Sequence, residues 1–212
     1  MGKNPKKILI IDDEAVFREA IARALTSCGY HCFPEEDPAT GIMRLKRESF
    51  DLLILDIMMD PFDGWDTLSH LRTFSNGRET PVIMASAKKL NIEEVIRYGE
   101  YVAGFLEKPF VDSEFCEAIH QFFDWYDPLI SNANAARLQG VPQEICTAWI
   151  RTNRQIRAIN QMLENVYVSG LPDEFLSEEE RMEHRMAQVR EILEEKRKER
   201  DNIRIQYPVF SI

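Results

Sequence analysis

No apolar run in this 212-residue chain approaches the ~20 residues of a membrane-spanning helix, which excludes a spanning segment as its organising element. The opening "MGKNPKKILIIDDE" lacks the long apolar core of a signal peptide. Lys6 stands where a myristoylation start wants Ser or Thr, so a cytoplasmic protein without membrane partners is expected. Cysteine is scarce: Cys28, Cys32, Cys116 and Cys146 form no Cys-x-x-Cys pair, and the four histidines are scattered. Reduced, packed thiols are expected, not a cysteine or histidine metal site. Basic excess is missing too, the net charge being −10. Residues 1–127 hold 14 Lys and Arg against 23 Asp and Glu, while residues 128–212 hold 12 against 13. That acidic front half argues against nucleic-acid binding there and suits the concentration of cations. There are no internal repeats.

What is present is a composition of 44% hydrophobic and 29% charged residues, which suits a folded globular chain. Short apolar runs alternate with helix-period segments. The predicted strands are Lys7–Ile11, His31–Phe33, Leu52–Leu55, Pro81–Ala85 and Gly104–Glu107. Continuous runs such as "ILII" and "LLIL" suit strands covered on both faces, hence a parallel sheet. The helices between them are predicted at 14–27, 38–48, 65–74, 91–98 and 112–126. Five strands alternating with five helices predict a doubly wound α/β domain, and function in such folds sits beyond the carboxyl ends of the strands. Those ends carry Asp12 and Asp13, Asp56, Ser86 and Lys108. Adjacent carboxylates there repel one another and want a cation. Hard oxygen donors suit Mg²⁺ with a phosphate, and a carboxylate can itself attack phosphorus.

Four motifs in this order, "ILIIDDE", "LLILDIMMDPFDG", "VIMASA" and "GFLEKPF", resemble the response-regulator receiver domain of two-component signalling, over residues 6 to about 126. The resemblance implies a flavodoxin-like five-stranded parallel sheet. It also implies a phosphoacceptor at Asp56 and Mg²⁺ bound by Asp12, Asp13, Asp56 and the Met58 main-chain carbonyl. Ser86 would bond the phosphoryl oxygen, Lys108 before Pro109 would pair with the phosphoryl group, and Phe105 would be the aromatic switch. Gly64 matches the family's glycine eight positions after the acceptor. Asp60 departs from the family's proline four positions after the acceptor, with Pro61 one place later. The implied protein is no enzyme beyond its own phosphotransfer and dephosphorylation, and its partner is a histidine kinase or phosphotransfer protein.

After Asp127 the pattern changes. "LISNANAARLQGVP" is polar and small, so a 1–127 receiver, a 128–143 linker and a 144–212 helical region with a short tail are expected. Residues 144–167 place Ile145, Trp149, Thr152, Ile156, Ile159, Leu163 and Val166 on one face. A break at "SGLPDEF" precedes a second helix at 177–200, opened by Ser177 and striped by Met182, Met186, Val189, Ile192 and Leu193. The end, "NIRIQYPVF", reads as a short strand or an extended tail. The leading expectation is a helical module that dimerises or takes a protein target. Arg151, Arg154 and Arg157 offer the alternative of a DNA-binding output, against which stands the absence of a basic footprint. No phosphate loop or nucleophile elbow follows residue 128, which disfavours an enzymatic output.

Overall fold

A computed structural model describes residues 5–109, 112–166 and 178–210. Its contacts divide the chain into two compact units, Met1–Lys89 with Tyr101–Ile119, and Leu90–Glu100 with His120–Ile212.

The first unit is built on five parallel strands, β1 (Lys7–Ile11), β2 (His31–Glu35), β3 (Leu52–Asp56), β4 (Val82–Ser86) and β5 (Gly104–Glu107), in the order β2-β1-β3-β4-β5. Its core follows from the sequence. Ile8 to Ile11 and Leu52 to Leu55 are essentially without exposure, because β1 and β3 are central and covered on both faces. Each such side chain contributes about 1.5–3 kcal/mol of apolar burial. The order reverses direction between β1 and β3, so the carboxyl ends of these two strands open a crevice between them.

The helices of this unit are α1 (Ala15–Ser27), α2 (Pro38–Arg47), α3 (Gly64–Leu71) and α4 (Ser75–Glu79). A short helix, α4, thus stands between β3 and β4 beyond the one expected there. Asp37 caps α2 by accepting from the amides of Ala39 and Thr40, with Pro38 at the first helical position. The cysteine expectation needs correction. Cys28, at the end of α1, is bridged to Cys116, with their Cα atoms 6.5 Å apart, while Cys32 and Cys146 are free. Residues 88 apart carry no local signal of pairing, and only the fold brings α1 to them.

The second unit is helical: α5 (Ile92–Tyr98), most of α6 (Asp112–Leu138, which begins in the first unit), α7 (Gln143–Glu164) and α8 (Glu178–Gln206). The expected linker at 128–143 is mostly helix. α6 continues through Pro128 to Leu138, with Leu129, Ala133 and Ala136 buried at helical spacing. It stops where Gly140 takes a φ of +91° and the Val141 amide returns to the Ala136 carbonyl at 3.1 Å, a Schellman stop. On α7 the buried face is turned from the expected one. Trp149, Thr152 and Ile159 are on it, but so are Cys146, Arg154, Gln155, Ala158 and Met162. α8 outlasts the expected limit at 200 and takes in most of "NIRIQYPVF", which is neither strand nor loose tail. Phe210 beyond it is fully buried and stacked on Trp149, ring centroids 4.8 Å apart. The break at Gly170 and Pro172 and the Ser177 helix start lie outside the described residues.

α5 belongs to this unit through specific bonds. Leu90 is buried and bridges in parallel to Val166. The Gln155 amide donates to the Glu100 carbonyl at 3.1 Å. Lys196 pairs with Glu100 at 2.5 Å and Arg185 with Glu93 at 2.6 Å. A Cβ at Gly99 would stand 2.7 Å from Ile159 Cγ1, so α5 approaches α7 at glycine distance.

Candidate functional site

The ends of β1 and β3 deliver Asp12 and Asp56 to one crevice, 2% and 5% exposed, with the exposed Asp13 beside them. One carboxylate oxygen from each of the three lies within 4.8 Å of the others. The local chain fixes Asp12 first. Its Oδ1 accepts the Glu14 amide at 2.9 Å, an Asx-type turn into α1, and its carbonyl accepts from Arg18 at 2.7 Å.

Lys108 follows β5 and supplies the positive charge. Its amide donates to the Ser86 carbonyl at 2.8 Å, which ties the ends of β4 and β5 together. Its Nζ donates to Asp12 Oδ2 at 2.7 Å and stands 3.2 Å from Asp56 Oδ1, with all three side chains buried. The second contact is an ion pair without hydrogen-bond geometry, since Asp56 Oδ1 has no hydrogen-bond partner. The ammonium also sits 4.0 Å from the centroid of the Phe17 ring, a cation–π contact. Phe17 and Arg18 were not singled out in the sequence. The only available signal was their place on the first turn of the helix that follows the acidic pair.

Burial pushes the Asp56 carboxyl above the ordinary carboxylate range; the Lys108 charge pulls it down, the Asp12 charge pushes it further up, and a hydrogen bond from the Met58 amide lowers it. A buried carboxylate oxygen without a hydrogen-bond partner, next to two further carboxylates, is a donor set for a hard cation. Three carboxylate oxygens fit the hard-donor preference of Mg²⁺. Asp12, Asp13 and Asp56 are the side chains that would hold it.

Ser86 ends β4 fully buried, next to Lys108 through the backbone, and its hydroxyl accepts the Lys88 amide at 3.1 Å. Phe105 lies inside β5, 3% exposed and in register with Met84. Met58 is exposed two residues beyond Asp56. Gly64, at the start of α3, has its amide on the Ile57 carbonyl at 2.9 Å. A Cβ there would collide with the Asp56 carbonyl and stand 2.8 Å from Ile57 Cα, which is why a glycine is needed at that point. Asp60 is exposed on the same loop, and the Phe110 of "KPF" lies outside the described residues.

The basic residues of α7 are differently placed from what a DNA-reading helix needs. Arg154 is buried, Arg151 pairs with Glu199 at 3.0 Å, and Arg157 lies over the Trp125 ring at 4.8 Å. No helix among the described residues is long and apolar enough to cross a membrane.

The chemotaxis protein CheY-3 of Vibrio cholerae is 32% identical over 127 residues, which cover 58% of this chain and 95% of that protein. The transcriptional regulatory protein HprR of Escherichia coli K12 is 33% identical over 108 residues, covering 51% of this chain and 47% of HprR. The chain thus spans about half the length of that regulator. A CheY-like response regulator receiver domain from Methanospirillum hungatei JF-1 superposes with a TM-score of 0.51 at 29% identity, covering 56% of this chain and 94% of that one. The family model described as the response regulator receiver domain matches residues 8–120, and the chain belongs to that family.

Proposed function

We propose that the protein is a phosphorylation-controlled response regulator whose Asp56 takes a phosphoryl group from a histidine kinase or phosphotransfer protein in the cytoplasm. The observation that carries this reading is Lys108 Nζ standing 2.7 Å from Asp12 and 3.2 Å from Asp56 in a crevice that also holds Asp13. An Asp56 carboxylate oxygen attacks phosphorus, the P–N bond to the donor histidine breaks, and its electron pair returns to the imidazole. Bound Mg²⁺ would offset charge on the phosphoryl oxygens. Lys108 stays as a fixed positive charge beside the acceptor, held by Asp12 and the Phe17 ring. The buried Ser86 hydroxyl is available to the phosphoryl oxygen, and Phe105 lies buried in the neighbouring strand β5. Apart from this transfer and its hydrolytic reversal, the protein is not an enzyme.

The output we favour is a protein interaction or homodimer through the C-terminal helices. Supporting it, α5 is bonded to α7 and α8 through Leu90, Gln155, Glu100 and Glu93, so a change in α5 is felt by those helices. The placement of Arg151, Arg154 and Arg157 leaves a nucleic-acid target the weaker choice. The test is labelling of the full chain by acetyl phosphate with Mg²⁺, read as a mass increment. Wild type should be labelled and Asp56→Asn should not, while keeping its circular dichroism spectrum. Labelling that persists in Asp56→Asn removes Asp56 from the role.

A further inference from the structure

The second unit holds a cavity of about 180 Å³ that plays no part in the phosphotransfer chemistry. Three helices wall it: Trp125, Pro128 and Leu129 from α6, Trp149 and Asn153 from α7, and Arg200 and Arg204 from α8. Its character is mixed in a specific way. Two indoles, a leucine and a proline give a flat apolar wall, and two guanidinium groups stand on a single side, one helical turn apart on α8. Arg200 is held by Asp201 at 3.0 Å, whereas Arg204 is exposed and has no ion-pair or hydrogen-bond partner among the described residues. A third guanidinium, that of Arg157, lies on the Trp125 ring and adds to the positive field.

Unmet hydrogen-bonding capacity gathers around the same wall. The Trp149 indole N–H is buried and has no acceptor among the described residues. Asn153 is fixed by its amide donating to the Trp149 carbonyl at 2.8 Å. A ligand with a flat apolar body and an anionic group would cover the apolar wall and pair with Arg204 together.

We propose that this cavity is a binding site for a small aromatic carboxylate, its ring against Trp125, Leu129 and Trp149 and its anionic group on Arg204 and Arg200. The size agrees, since an apolar cavity near 150 Å³ accepts a benzene ring. A carboxylate matches the planar fork of a guanidinium better than a compact anion would. Such a site gives the C-terminal helices a chemical input of their own, beyond the phosphoacceptor.

The test uses the full chain and benzoate, with benzamide as the uncharged isostere. Titration is followed by the indole N–H signals in ¹H–¹⁵N spectra, and affinity by calorimetry. Saturable benzoate binding with a dissociation constant on the order of 1 mM is expected, which is reasonable for so small a ligand. The Trp149 signal should shift while that of Trp65, buried in the first unit, stays in place. Arg204→Gln alters an exposed side chain, and it should weaken benzoate about tenfold while leaving the spectrum otherwise intact. Three results overturn the proposal: no saturation at tens of millimolar benzoate, benzamide binding as tightly as benzoate, or unchanged affinity in Arg204→Gln.

Discussion

Each unit buries a charge, and the two are treated in opposite ways. In the first, Asp56 is 5% exposed and faces Lys108, which also holds Asp12. In the second, Arg154 is 7% exposed, its hydrogen-bonded neighbour is the Tyr126 hydroxyl, and its Nε has no partner. Burial works against the charged form of both, raising the Asp56 carboxyl and lowering the Arg154 guanidinium. The contrast lies in compensation. The crevice is a set of two buried acids that share one base, Lys108, as their counter-charge. Arg154 is a single cation surrounded by packing, so little else depends on it.

Replacing each cation by methionine separates the two cases. The larger effect falls on Lys108→Met, which leaves Asp12 and Asp56 buried side by side without their common counter-charge. Removing one member of a buried ionic set costs about 3 kcal/mol or more. Urea unfolding without metal should show that loss, and Mg²⁺ should recover part of it, since a divalent cation can take the place of the ammonium. A variant as stable as wild type in the absence of metal would show that Lys108 is not the keystone of the crevice.

A smaller effect is expected from Asp56→Asn, and it depends on pH. The folded-state carboxyl of Asp56 titrates above its unfolded value, chiefly because burial disfavours the charge. The native state therefore holds its proton to higher pH than the unfolded chain does. Stability from this residue is complete below the ordinary carboxylate range and is lost as pH rises through the raised folded value. Asparagine carries no such penalty, so at neutral pH the variant should melt a few °C above wild type. The gap should close as pH falls into the carboxylate range. A gap that persists or widens in acid would reverse the sign assigned to Asp56.

The same two regions differ in how far the sequence discloses them. In the first, strand, motif and site coincide. Leu52 to Leu55 is a fully buried parallel strand, and the residue that ends it, Asp56, has to emerge at the rim where Asp12 emerges too. One apolar run therefore predicts both the core and the crevice. The second region lacks such coupling. Pro128 and a run of small polar residues read as a linker, yet Leu129, Ala133 and Ala136 continue the buried stripe of α6, because packing outweighs the loss of one amide donor. On α7 the isoleucines at 145 and 156 drew the expected face towards themselves. The buried face instead carries Arg154 and Gln155, since a helix packed on several neighbours buries more than its apolar stripe. The Cys28–Cys116 bridge had no local signal at all, being a product of tertiary placement.

The smallest effect separates Arg154 most sharply from Lys108. Arg154→Met replaces a buried guanidinium with an unbranched apolar chain of similar length. The phenol of Tyr126 loses a bond, but the chain no longer has to bury a charge that lacks a carboxylate partner among the described residues. Exchanging buried ionic groups for apolar ones of similar volume is often neutral or favourable. Arg154→Met should therefore raise stability by about 1 kcal/mol, or at least not lower it, in the urea experiment in which Lys108→Met loses several. Acid groups on α6 and α8 lie within the same unit, so the outcome is informative either way. A loss comparable to that of Lys108→Met would mean that Arg154 anchors an ionic network of its own, and the two units would then bury charge by the same rule.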